Sequence, residues 1–210
     1  MKETFLLLGG WTRDKSTYGK LIETKQTGVD IFFVDHRLIN INNPAESIRK
    51  ICNDNDFKRV SVVGHSIGGF FVIKFAASFP ELVDRLFLID SEGIYEKEKI
   101  ESLFINFART HLKHGKAKAL NNIKSVYNLL KNPLFMIRLV RLAHLGDLAG
   151  DLFKISAKTT IIWGQEDRLT PVWQGEIMNK FLRNSKLIVL AGMDHDWILH
   201  KPALFWENYK

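Results

Sequence analysis

Apolar residues along the chain gather in short dense runs separated by polar stretches. Thr4 to Leu8, Asp30 to Val34, Arg59 to Val63, Arg85 to Asp90, Thr159 to Trp163 and Lys186 to Leu190 each read as a short buried strand. Between them the apolar positions recur at helical spacing. Ser16 can cap a helix running to about Gln26, and Pro44-Ala45-Glu46-Ser47 opens another to about Asn53. Phe70 to Phe79 is apolar nearly all round, as a core-lining helix should be. Further helical runs lie at about Val172 to Leu182 and from Pro202 onward. Strands alternating with helices predict an α/β fold, a doubly wound parallel sheet of about six strands covered on both faces. A long insertion, about Ser91 to Lys158, separates the fourth and fifth strands. Leu103, Phe104, Phe107, Leu129, Leu130, Leu134, Ile137, Leu139 and Val140 give it helical periodicity, and structureless loops of that size are uncommon. The expectation is one domain over 1–210, with a core of 1–90 and 159–210 and a helical cap at about 91–158.

Between the third strand and the next helix lies Val62-Val63-Gly64-His65-Ser66-Ile67-Gly68-Gly69. A Gly-x-Ser-x-Gly string at a strand-to-helix junction describes a nucleophile elbow. Raising one side chain from the end of a buried strand needs a sharp turn, with a strained backbone at its tip, Ser66. The spacing predicts that Gly64 and Gly68 approach each other too closely for a Cβ on either. His65 should support the turn. The helix after the tip points its N-terminal amides back at Ser66 and favours negative charge there.

The elbow, Gly-His-Ser-x-Gly-Gly, resembles that of the α/β-hydrolase fold family. The resemblance implies a strand order of 2-1-3-4-5-6. That order puts a switch point between strands one and three, under the elbow and the Gly9-Gly10-Trp11 loop. Many relatives carry two further strands before this chain's first. The resemblance also implies a catalytic triad in the order serine, acid, histidine. A serine hydroxyl needs a base to take its proton, and the base needs a third group to hold its tautomer. Ser66 is the candidate nucleophile. Asp167, in Gly164-Gln165-Glu166-Asp167-Arg168-Leu169-Thr170-Pro171, resembles the family's acid loop, with Glu166 pointing elsewhere. Asp90 is the rival acid, after the strand that follows the elbow helix. His195, in Gly192-Met193-Asp194-His195, resembles the family's histidine loop before the last helix. The oxyanion donors implied are the N–H groups of Ile67 and Trp11, with Gly10 and Trp11 lining the substrate crevice. Relatives often place a histidine before the glycine of that loop, and here the loop reads Gly9-Gly10-Trp11.

Composition narrows the remaining choices. The chain has 210 residues, 46% hydrophobic and 25% charged, which suits a globular domain with a sizeable core. Cys52 is the one cysteine, so no disulfide within the chain is possible and a cytoplasmic setting is acceptable. It reads as a structural, buried thiol. No apolar run approaches the roughly 18 residues of a membrane span, and Phe5 to Leu8 is too short for a signal-peptide core. The net charge of +7 carries no zinc-finger, RNA-recognition or helix-turn-helix signature, so nucleic acid is not the expected partner. A metal reading of Asp194, His195, Asp196 and His200 is disfavoured, because histidines five apart do not share a helix face. His36, His111, His114 and His144 read as ordinary polar residues.

Three functions fit. The first is a serine hydrolase of esters or thioesters that needs no cofactor. Its substrate would be a small molecule with a hydrophobic acyl group, favoured by an apolar cap face. The second keeps the triad for acyl transfer or carbon–carbon cleavage of an acidic substrate. The third is a ligand-binding receptor with a slow triad. From Ser102 to Gly146 there is no acidic residue, while Arg109, Lys113, Lys116, Lys118, Lys124, Lys131, Arg138 and Arg141 are basic. A basic rim would draw anionic substrates or give weak contact with an anionic lipid surface.

Overall fold

A computed structural model describes residues 2–94, 127, 130–131 and 133–209. Six strands form one sheet: β1 Glu3–Leu8, β2 Val29–Val34, β3 Val60–His65, β4 Val83–Ile89, β5 Lys158–Gly164 and β6 Ser185–Leu190. Their order is β2-β1-β3-β4-β5-β6 and every pair is parallel. The predicted strands are therefore the observed ones, to within two residues at either end.

Alternation along each strand feeds two cores. Leu6 and Leu8 of β1 point into one face with Val62 of β3 and Leu86 and Leu88 of β4. Phe5 and Leu7 point into the other with Val63, Phe87 and Ile162. The first face is covered by α2 (Pro44–Asp54), α3 (Ile67–Ser78) and α6 (Val172–Phe181). The second is covered by α1 (Gly19–Glu23), α7 (Trp197–His200) and α8 (Ala203–Asn208). α3 carries Phe70, Phe71, Val72, Ile73, Phe75 and Ala76, all buried, which is why its sequence shows no polar side. Each such large side chain contributes about 1.5–3 kcal/mol on burial. Cys52 sits fully buried in this core, and burial pushes its thiol pKa up to about 11, so it stays an inert thiol.

Two helix ends differ from expectation. Asp14, not Ser16, caps the first helical turn, which is a 3-10 turn at Lys15–Tyr18. Its carboxylate accepts from the Thr17 amide and the Thr17 hydroxyl. The helix then ends at Glu23 rather than Gln26. After His195 the chain also makes the short α7 before the final helix begins at Ala203.

Of the insertion, α4 (Pro133–Leu145) and α5 (Ala149–Leu152) are described. Leu139, Leu148, Leu152 and Ile155 join the α3 core, and Lys74 of α3 pairs with Asp151 at 2.6 Å. The predicted cap positions Leu103, Phe104, Phe107, Arg109, Lys113, Lys116, Lys118, Lys124 and Leu129 lie outside the described residues, as do His111 and His114. Among the described residues no helix is long and apolar enough to cross a membrane.

Candidate active site

The loops after β1, β3, β5 and β6 meet at one end of the sheet. Ser66 directly follows β3 with φ 55° and ψ −125°, a conformation that costs a non-glycine residue about 1–3 kcal/mol. Backbone bonds hold it there. Its N–H donates to the Ile89 carbonyl (3.0 Å), and its carbonyl accepts from Gly69 (2.9 Å) and Glu92 (3.0 Å). Both glycines are required by close approach, but not to each other. A Cβ on Gly64 would lie 2.5 Å from Gly69 Cα, whereas one on Gly68 would drive into the Leu8 carbonyl of β1. The elbow is thus wedged between its own helix and the neighbouring strand.

Asp167 and His195 come together, 28 positions apart in sequence. His195 Nδ1 lies 2.6 Å from Asp167 Oδ2, and both side chains are buried. The other carboxylate oxygen accepts from the Leu169 N–H at 2.7 Å and the Thr170 N–H at 3.0 Å. The Thr170 hydroxyl lies 2.7 Å from Asp167 Oδ2 and 3.0 Å from the Asp90 carbonyl. Burial opposes charge on His195, but the Asp167 carboxylate and its hydrogen bond, helped by Asp196 and Glu92, outweigh it and raise the pKa above 6.5. Asp90 makes no bond to this imidazole. Its carboxyl accepts from the Gly164 N–H at 2.7 Å. Burial, then the neighbouring Asp167 charge, push its pKa well above its ordinary value. His200 pairs with Asp194 at 3.3 Å, apart from the His195 pair.

The alpha/beta hydrolase fold family model matches residues 40–115. A crystal structure of a bacterial membrane phospholipase A superposes with a TM-score of 0.80 at 21% identity, covering 99% of this chain and 77% of that one. The chain has the α/β-hydrolase fold. A meta-cleavage product hydrolase superposes with a TM-score of 0.76 at 15% identity, over 98% of this chain and 88% of that one. In sequence the chain is similar to an uncharacterized hydrolase of Bacillus subtilis, 24% identical over 242 residues, covering 99% of this chain and 88% of the relative. Several curated relatives are matched over less of their own length: the chain covers 54% of serine hydrolase-like protein 2 of Homo sapiens, at 27% identity over 173 residues and 76% of this chain.

In this α/β-hydrolase-fold protein the Gly9-Gly10-Trp11 loop lies against the elbow. A Cβ on Gly10 would come 3.4 Å from Ser66 Cβ and 3.3 Å from His65 Nδ1. Trp11 is buried beside it, and Ile67 opens α3 directly after Ser66. The loop is anchored without a histidine of its own. The Gly10 N–H donates to the Tyr18 hydroxyl at 2.7 Å, and that hydroxyl lies 2.7 Å from His65 Nδ1. His36 Nε2 reaches the Gly10 carbonyl at 3.1 Å, so His36 is a buried structural partner and not an ordinary polar residue. His65 does more than support the turn, because its Nε2 meets the His195 carbonyl at 3.0 Å. Arg13 and Asp196 form a buried ion pair at 2.8 Å that ties the same loop to the histidine loop. Tyr18, His36, Arg13 and Thr170 carried no motif in the sequence. The one available signal was the missing loop histidine, which required some other group to take its place.

Proposed function

We propose that the protein is a serine hydrolase that cleaves a carboxylic ester or thioester through an acyl-enzyme. The observation that carries this reading is the buried Asp167–His195 pair at 2.6 Å beside a strained serine elbow. Asp167 accepts the Nδ1 proton of His195, which leaves Nε2 as the basic nitrogen. Ser66 Oγ attacks the acyl carbon as its proton passes to Nε2. The N–H groups of Ile67 and Trp11 receive the oxyanion. His195 then protonates the leaving alcohol or thiol, and water resolves the acyl-enzyme by the reverse transfers. The test is steady turnover of a nitrophenyl ester together with covalent labelling of Ser66 by a fluorophosphonate. Labelling without turnover would favour a receptor with a slow triad.

Only neutral His195 can accept the serine proton. Its pKa lies above 6.5, because the Asp167 carboxylate outweighs burial. The rate kcat/KM should therefore fall with decreasing pH along an acid limb centred above pH 6.5. A folded protein whose rate stays flat from about pH 8 down to about 5 would remove His195 as the base.

A second reading, cleavage of an acidic substrate, draws on the basic residues of the insertion. On α4, Arg138 and Arg141 are exposed, and Lys131 just before it is exposed as well. With the insertion serving as a cap over the crevice, these cations would raise the local concentration of anions. We expect kcat/KM for an ester bearing a carboxylate or phosphate to fall with added salt, while a neutral ester of equal length responds much less. Replacing Arg138 and Arg141 with Glu should erase the difference. Equal salt responses in the wild type would reduce the basic face to a solubility feature.

A further inference from the structure

The hydrogen bonds around Gly10 determine their own proton positions. The His195 carbonyl can only accept, so His65 Nε2 carries a proton. Burial, with His195 beside it, lowers the His65 pKa to about 4, so the ring is neutral and Nδ1 is an acceptor. The Tyr18 hydroxyl must then donate to Nδ1, and burial keeps this phenol protonated. Its oxygen is left to accept from the Gly10 N–H. One directed chain thus runs from the Gly10 amide through Tyr18 and His65 to the backbone of His195.

The carbonyl of Gly10 belongs to the next peptide unit, the one that contains the Trp11 N–H. That carbonyl can only accept, so His36 Nε2 donates to it, as does the Arg13 N–H, both at 3.1 Å. In a trans peptide the carbonyl and the N–H point in opposite directions. Fixing the Gly10 carbonyl therefore fixes the direction of the Trp11 N–H. A donor gains catalytic value only when it is aimed before the oxyanion forms.

We propose that Tyr18, His36 and His65 are positioning residues that clamp the Gly10–Trp11 peptide and lock it in register with the His195 loop, in place of a loop histidine. The proposal rests on the serine-hydrolase reading. None of the three need touch substrate. Their effect passes through the Trp11 N–H and the backbone of His195.

The test measures nitrophenyl-ester kinetics and thermal unfolding for Tyr18→Phe, His36→Leu, His36→Gln and wild type. Tyr18→Phe keeps the ring but leaves the Gly10 N–H and His65 Nδ1 without their partner. His36→Leu removes the donor to the Gly10 carbonyl, and His36→Gln can restore it through its amide. We expect Tyr18→Phe and His36→Leu each to lower kcat by about 10- to 100-fold, somewhat less than outright loss of an oxyanion donor. KM should change little, the acid limb should stay in place, and His36→Gln should recover most of the rate. Wild-type kcat in Tyr18→Phe and His36→Leu, losses confined to KM, or a Gln variant no better than Leu would overturn the clamp. Should Tyr18→Phe fail to fold, the comparison of His36→Gln with His36→Leu decides by itself. Absence of Ser66-dependent turnover in the wild type would instead overturn the hydrolase reading, and the clamp with it.

Discussion

Ser66→Ala is expected to abolish ester turnover while leaving the protein folded. The backbone at this position is strained for any residue with a Cβ, and alanine has the same Cβ as serine. The hydrogen bonds that hold the tip use the Ser66 amide and carbonyl, through Ile89, Gly69 and Glu92, and survive the change. The void left by one oxygen is small. Thermal unfolding should therefore shift little. The rate should drop by on the order of 10⁵ to 10⁶ in kcat, the loss seen when a serine triad is deprived of its nucleophile. Residual activity would reflect binding and oxyanion donors alone. The measurement is nitrophenyl-ester hydrolysis beside circular dichroism. A folded variant that turns over at the wild-type rate would eliminate Ser66 as nucleophile.

The sheet was legible because each strand is a short apolar run bounded by polar turns. That is how strands buried on both faces appear in sequence. The elbow was legible because two glycines at fixed spacing around a serine mark a sharp strand-to-helix turn. The reason for Gly68 was not, since its neighbour is the Leu8 carbonyl on another strand. Asp167 and His195 could be picked out by their resemblance to the family's acid and histidine loops, which follow β5 and β6, and their side chains meet at 2.6 Å. Tyr18 and His36 could not. Each acts through hydrogen bonds that reach a loop 8 or 26 residues away, and one tyrosine or histidine in a polar stretch carries no periodic signal. The helix cap was misplaced by two residues for a related reason. Asp14 and Ser16 are both good caps, and only the Thr17 bonds distinguish them.

Asp167→Asn should cost on the order of 10⁴ in turnover, and the surrounding hydrogen bonds give the reason. Oδ1 of Asp167 accepts two backbone N–H groups, from Leu169 and Thr170. An asparagine here must keep its carbonyl oxygen at that position, because an amide NH₂ cannot accept. Its NH₂ then replaces Oδ2 and faces His195 Nδ1. A donor there forces the imidazole proton onto Nε2, the nitrogen that must take the serine proton. The base is thus held in the wrong tautomer. Loss of the carboxylate also removes the charge that raises the His195 pKa, so the acid limb should move to lower pH. Asp90→Asn should stay within about tenfold of wild type, since the Asp90 carboxyl serves the Gly164 N–H while Asp167 holds His195, and the amide has the same shape. Asparagine tolerates the φ of 43° at this site, and its oxygen can still accept from the Gly164 N–H. Steady-state kinetics of both variants over a pH series separates the two acids. A larger loss at Asp90 than at Asp167 would reverse the assignment.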